Sequence, residues 1–335
     1  MPSHRTTSDP WISRYYHSKL LSQSNGPSGS DVINTEDQEV YGDSEYKILF
    51  RIGNGGAGYT GILRMLAEMY IAQNGGGFRI GWVSNHSRHS QIALLADVVH
   101  VALTYEPENE DLAVEEGWAR RVGRAFNDHF ILVGPDVDLG ARDIGGALRV
   151  VAESNVTSPD ANGSLGQNPI TFHTRGDGSA TFAKEQVLWH AAGVDASAKG
   201  WIKTCPLTPY DALVQAEKEG AFLLTDRATF LTAKQDGVIP SLRAHVEGDE
   251  ALLNPCSVLV KSDSFVRKAG LANSEELDEA DTSADDAAAR FASWLISDEA
   301  QDTIKDYGLQ WRLRKPLFTV AHENQFGDEH LLSSM

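Results

Sequence analysis

The stretch Tyr46-Lys-Ile-Leu-Phe-Arg-Ile52 runs without a break into Gly53-Asn-Gly-Gly-Ala-Gly58, and then into Thr60-Gly-Ile-Leu-Arg-Met-Leu-Ala-Glu-Met-Tyr-Ile-Ala72. The first segment has the short apolar pattern of a strand. In the last, Ile62, Leu63, Leu66, Met69 and Tyr70 recur at the spacing of one helix face. Strand, glycine-rich turn and helix together open an α/β unit.

The alternation continues outward from this point. Phe78-Arg-Ile-Gly-Trp-Val83 reads as a strand and residues 90–95 as a short helix. Strands follow at Asp97-Val-Val-His-Val-Ala-Leu103 and at Phe130-Ile-Leu-Val133, the latter apolar throughout, as a buried parallel-sheet position requires. Beyond a polar loop at 153–168 come strand Ile170-Thr-Phe-His-Thr174, a helix at 182–192, strand Ala221-Phe-Leu-Leu224 and a helix at 228–234. Strand Ser257-Val-Leu-Val260 and a closing helix at 284–307 complete the pattern. No internal repeat is visible, and two α/β lobes are expected. Residues 1–45, polar and rich in Ser, Asp, Gly and Asn, read as a disordered leader.

The chain has 335 residues, 41% hydrophobic and 23% charged, enough for a core in each of two lobes. Its formal net charge of −18 excludes the basic footprint that nucleic acid or anionic lipid needs. The same charge gives an anionic ligand no long-range help, so any anion site must be local, built from backbone amides and one or two arginines. Cys205 and Cys256 follow no metal-type spacing, and a single bridge or two free thiols both remain open. No apolar run reaches the length of a membrane span, so membrane insertion is not expected. The N-terminus lacks the apolar core of a secretory signal. As written the chain reads as cytoplasmic; extracellular or periplasmic placement requires an incomplete N-terminus.

Three loops join a strand end to a helix start, the edge where open α/β sheets bind ligands. In the first, residues 53–60, the glycines leave backbone N–H groups accessible at a helix start. Asn54, Gly55, Gly56, Ala57 and Thr60, with Ser84 at the end of the second strand, are candidate anion ligands. The loop also satisfies G-x-G-x-x-G, so a dinucleotide-dependent enzyme is the alternative. That fingerprint calls for an acidic residue about 20 positions on. The second strand instead ends in Val83-Ser84-Asn85-His86, although Ser87 and Arg88 suit a 2′-phosphate. A tight turn that packs helix on sheet accounts for the glycines equally.

The second loop is Thr174-Arg-Gly-Asp-Gly-Ser-Ala-Thr181. Arg175 offers a planar cationic fork, and Ser179 and Thr181 offer hydroxyls at a helix start. A capped helix with a surface Arg–Asp pair is the competing reading. In the third loop, residues 224–229, Thr225 and Arg227 are possible donors, and capping by Thr225 or Asp226 explains them as well. No G-x-S-x-G, P-loop or H-E-x-x-H occurs, and His86 and His89 lack accompanying Cys or carboxylate groups. No catalytic residue, no metal site and no cofactor are expected.

Several segments in order carry a resemblance. They are Phe126-Asn-Asp-His-Phe-Ile-Leu-Val-Gly-Pro135, residues 174–181 with Lys184-Glu185 and Leu188-Trp189, and Leu223-Leu-Thr-Asp-Arg-Ala-Thr-Phe230. Glu247-Gly-Asp-Glu-Ala-Leu-Leu-Asn-Pro255 and Phe291-Ala-Ser-Trp-Leu295 with Tyr307-Gly308 follow. Together they resemble the tungstate-binding component of bacterial ABC importers, a type II periplasmic binding protein. The resemblance implies a two-lobed α/β fold, each lobe a mixed sheet flanked by helices, with a ligand cleft between them. Lobe I would hold residues 46–134 and 250–335, lobe II residues 135–249. It also implies a monomer that binds a small tetrahedral oxyanion, tungstate or molybdate, and an importer permease as partner if the chain is exported. The family's S-R-G-D-x-S-G-T maps onto Thr174, Arg175, Gly176, Asp177, Ser179, Ala180 and Thr181. Its T-T-T-S first loop is replaced here by residues 53–60.

Overall fold

The computed structural model describes residues 33–154, 170–177, 179–196, 200–262 and 279–332. Most of the polar loop at 153–168, Gly178, and residues 1–32 of the expected leader lie outside them. The leader boundary moves, because residues 39–41 form strand β1 (Glu39–Tyr41), antiparallel to β3. Ion pairs from Asp37 to Arg51 (2.8 Å) and Glu39 to Arg64 (2.7 Å) hold this segment.

The chain divides into two compact units, residues 1–126 with 256–304 and residues 127–255 with 305–335. In chain order the remaining strands are β2 (Ile48–Asn54), β3 (Arg79–Ser84), β4 (Val101–Thr104), β5 (Ala119–Gly134) and β6 (Phe172–Thr174). Then come β7 (Ile202–Thr204), β8 (Phe222–Asp226), β9 (Arg243–Val246), β10 (Leu253–Lys261) and β11 (Thr319–Val320). The chain passes from the first unit to the second within β5 and returns within β10.

In the first unit β3, β2 and β4 are parallel, in that order, and β10 adds antiparallel to β4. In the second unit β7, β6 and β8 are parallel, in that order, and β5 adds antiparallel to β8. Both sheets therefore have the order second, first, third, then an antiparallel strand. The repeat that the sequence hides is present in the topology. In each unit the order reverses beside the first strand, so β2 and β4, or β6 and β8, flank a topological switch point.

Each sheet is covered by apolar helix faces. Val83, Leu94, Leu95, Val99, Trp118 and Leu259 form one cluster of the first unit, and Phe50, Tyr70 and Phe291 pack ring to ring on another (5.0–5.4 Å). In the second unit Phe130, Leu148, Val151, Phe172, Leu188, Trp189, Phe222 and Leu224 form a single cluster. Local chemistry sets the helix limits. Ser179, Thr208 and Asp226 cap helices Ala180–Ala191, Pro209–Glu219 and Arg227–Asp236, and Gly220 and Gly237 end the last two in the left-handed conformation.

Two expectations are corrected. The closing helix is two helices, Glu279–Leu295 and Asp298–Asp306. Ser297 interrupts them: its hydroxyl donates to the Trp294 carbonyl (2.6 Å), and its own carbonyl receives the Gln301 N–H (3.0 Å). Residues 305–332 belong with the second unit rather than the first, because Asn127 Nδ2 donates to the carbonyls of Val320 (3.1 Å) and Glu323 (2.8 Å) and β11 pairs with β5. Cys205 and Cys256 are not joined by a disulfide. Among the described residues no helix is long and apolar enough to cross a membrane.

Candidate functional site

In the first unit the glycine-rich loop follows β2. Asn54 is fully buried, its Nδ2 donates to the Leu103 carbonyl (3.0 Å) and its Oδ1 accepts from Gly58 N–H (2.9 Å). The Thr60 hydroxyl donates to the Ala57 carbonyl (2.6 Å). Both side chains expected to contact an anion are thus spent on the turn itself. A Cβ on Gly58 would fall 2.1 Å from Trp82 Cζ2, and one on Gly55 would fall 3.0 Å from the Asn85 carbonyl oxygen. These two glycines answer to packing, as the tight-turn reading required. Gly56 alone in the loop faces open space. Gly56 and Ala57 open the short helix Gly56–Tyr59, so their N–H groups have no acceptor within it. Ser84 ends β3 with its hydroxyl donating to Tyr59 Oη (2.9 Å), and no carboxylate stands at that strand end.

The second unit holds the stronger site. Thr174 and Arg175 leave the sheet at the end of β6, and Thr225 sits near the end of β8. The two strands are parallel with His173 opposite Leu223, so these residues meet at the switch point. Arg175 is 5% exposed, its Nη2 pairs with Asp177, and its buried Nε has no partner among the described residues. Asp177 also accepts the Ser179 N–H (3.1 Å). Burial works to raise the Asp177 carboxyl, but the Arg175 charge and the Ser179 donors outweigh it and hold the group below the usual carboxylate range. Gly176 has a positive φ (57°), and a Cβ there would press on Thr204 (2.7 Å), so the turn needs glycine.

Ser179 caps helix Ala180–Ala191 by accepting the Phe182 N–H (3.3 Å). Ala180 and Thr181 then present N–H groups without intrahelical acceptors at the positive end of the helix. Thr181 is half-buried. The Thr225 hydroxyl is buried and has no hydrogen-bond partner among the described residues, like that of Thr174. An unpaired buried donor costs about 1–3 kcal/mol. Three of them, Arg175 Nε, Thr174 Oγ1 and Thr225 Oγ1, lie at one sheet edge beside a helix start. An acceptor group between them would complete the set.

Arg227 does not join them, which corrects its expected role. Its Nε donates to the Pro316 carbonyl (3.3 Å), Nη1 to Glu247 (2.7 Å) and Nη2 to the His330 carbonyl (2.6 Å). Glu185, for which the sequence offered no role, is buried behind the Arg175 loop. A glutamate inside a helix pattern carries no sign of burial, so only the packing reveals it. His86 and His89 lie with ring centroids 6.0 Å apart, and no group of three or more metal-ligating side chains occurs among the described residues.

Several known proteins are similar to this chain. The chain is 33% identical over 213 residues to a Haloferax volcanii protein provisionally named an ABC transporter anion-binding protein, a stretch covering 63% of this chain and 54% of that one. The chain thus spans little more than half the length of that relative. It is 25% identical over 265 residues to the tungstate-binding protein TupA of Campylobacter jejuni, covering 78% of this chain and 86% of that one. The structure of the tungstate-binding protein TupA from Desulfovibrio alaskensis G20 superposes with a TM-score of 0.63 at 23% identity, over 83% of this chain and all of that one, and so shares the fold. Each of these relatives is named as a binding protein. A family model described as a PBP superfamily domain matches residues 30–299, most of the chain, and the chain belongs to that superfamily.

Proposed function

We propose that the chain binds a small tetrahedral oxyanion of the tungstate or molybdate class, as the capture component of an importer, and carries out no chemistry on it. One observation carries this reading: Arg175 is buried with an unpaired Nε beside the unpaired hydroxyls of Thr174 and Thr225, at the start of helix Ala180–Ala191. The guanidinium neutralises the anion, and the helix-start N–H groups and hydroxyls replace its water shell. Support comes also from the names of the relatives, two of them tungstate-binding and one anion-binding. A capture protein of this kind works outside the membrane beside a permease, so the proposal favours the periplasmic of the two locations read from the sequence.

Titration calorimetry with tungstate, molybdate, sulfate and phosphate on ligand-free protein tests it. Heat is expected from tungstate or molybdate, and Arg175→Gln removes it in protein whose circular dichroism shows that it is folded. Silence from all four anions, or unchanged binding by Arg175→Gln, overturns the proposal.

A further inference from the structure

Glu185 is the one carboxyl group within helix Ala180–Ala191, little more than one turn from the helix start at the proposed anion site. It is 2% exposed; Oε1 accepts a long hydrogen bond from Trp189 Nε1 (3.4 Å), and Oε2 has no partner among the described residues. The Thr174 hydroxyl lies beside this carboxyl, is equally buried, and completes no hydrogen bond of normal geometry. Two buried oxygens, both unsatisfied, therefore stand next to each other at the base of the Arg175 loop.

The loop brings two charges: Arg175 favours the ionised carboxylate and Asp177 opposes it. Helix Ile144–Glu153 and β8 bring Leu148, Val151, Phe222 and Leu224 to the apolar cluster that holds Leu188 and Trp189. From β6 come Phe172 and the neutral Thr174, while His173 is engaged with Glu219 (3.0 Å). Lys184, the neighbour on the helix, turns to the Ala251 carbonyl (2.9 Å). Asp226 and Cys205 feel the charge of Arg175. Burial is the largest influence and pushes the Glu185 carboxyl up to about 7.

We propose that Glu185 is a positioning residue that links anion binding to the uptake of one proton. When protonated, its O–H donates to Thr174 Oγ1, which leaves the Thr174 hydrogen and the Arg175 charge free to serve the anion. When ionised, it accepts the Thr174 hydrogen itself and sets a buried negative charge against the ligand. Binding of a dianion therefore draws a proton onto Glu185 above neutral pH. This inference rests on the reading of the Arg175 loop as an anion site.

The test is calorimetry of the full chain with tungstate between about pH 7 and pH 9, in two buffers of different ionisation enthalpy. One linked proton weakens the wild-type affinity by up to about tenfold per pH unit above the carboxyl's own pKa, with close to one proton taken up per anion. Glu185→Gln, which keeps the shape and cannot ionise, is expected to bind with no such slope, and about tenfold or more tighter than wild type at the alkaline end. Parallel pH profiles in the two proteins overturn the inference. So does a proton uptake near zero in the wild type, a measurement that decides the matter even if the variant does not fold. Wild-type silence at every pH defeats the anion reading and this inference together, whereas binding that ignores pH defeats this inference alone.

Discussion

The guanidinium of Arg227 lies over the ring of Phe326, 3.9 Å from its centroid, and joins the second unit's core to the last segment of the chain. The same group bonds the carbonyls of Pro316 and His330 and pairs with Glu247, whose other carboxylate oxygen accepts the Leu332 N–H. Lys315 adds bonds to the carbonyls of Glu329 (2.8 Å) and Leu331 (2.9 Å). Arg227→Met takes the counter-charge away from the Glu247 carboxylate, whose side chain is 6% exposed, which costs about 3–5 kcal/mol. Chemical denaturation should show that loss, and limited proteolysis should release residues 315–335 first. Anion affinity in the folded fraction should stay near the wild-type value, in contrast to Arg175→Gln.

Thr225 offers the opposite signature. Its hydroxyl is buried with no partner, so Thr225→Val removes an unsatisfied group and keeps the volume. Stability is expected to hold or rise by up to about 1 kcal/mol. Tungstate affinity should fall about tenfold for one lost hydrogen bond to a charged acceptor. A variant that loses stability while binding as before would show that the hydroxyl serves the fold.

Gly56 and Gly58 share one loop and answer to different constraints. A Cβ at 58 would enter the Trp82 ring, whose Nε1 donates to the Asn54 carbonyl (2.9 Å) and so cannot swing away freely. Gly58→Ala should cost about 1–3 kcal/mol by overpacking, and Gly56→Ala less than about 1 kcal/mol. Thermal denaturation of the two variants side by side makes the comparison.

His129 sets an acid limit on the second unit. Its Nε2 meets the Thr319 hydroxyl (3.0 Å) and its ring packs on Phe326 (4.6 Å). Burial first, and then the Arg227 charge, lower it to about 3. The folded protein thus keeps the ring neutral where the unfolded chain, with an ordinary histidine near 6.5, takes up a proton. The stabilisation is complete above about pH 6.5 and is lost as pH falls toward 3, at up to about 1.4 kcal/mol per pH unit. His129→Gln should flatten the stability profile between about pH 6.5 and pH 4, whatever its cost at neutral pH. An equally steep profile in the variant would assign the acid sensitivity to other groups.

Much of this was open to inspection in the sequence. Caps and breakers are local, so Ser179, Asp226 and Gly237 mark helix limits without knowledge of the fold. Apolar period placed most strands of both sheets, though the short β1, β7, β9 and β11 carried too few residues to show one. The Arg175 loop stood out because its charge, hydroxyls and helix start are adjacent in the chain.

The amino-acid order alone determined the strand-turn-helix alternation, the helix starts and the position of the arginine that faces them, since each depends on residues a few places apart. Tertiary structure decided which polar groups are still free. Asn54 is consumed by Leu103 and Arg227 by Pro316 and His330, while Thr225 and Arg175 Nε are left without partners. Tertiary structure also buried Glu185 and gave the two sheets one strand order. The physical reason is that a side chain's hydrogen bonds are taken up by whatever the fold brings near it, often from tens of residues away.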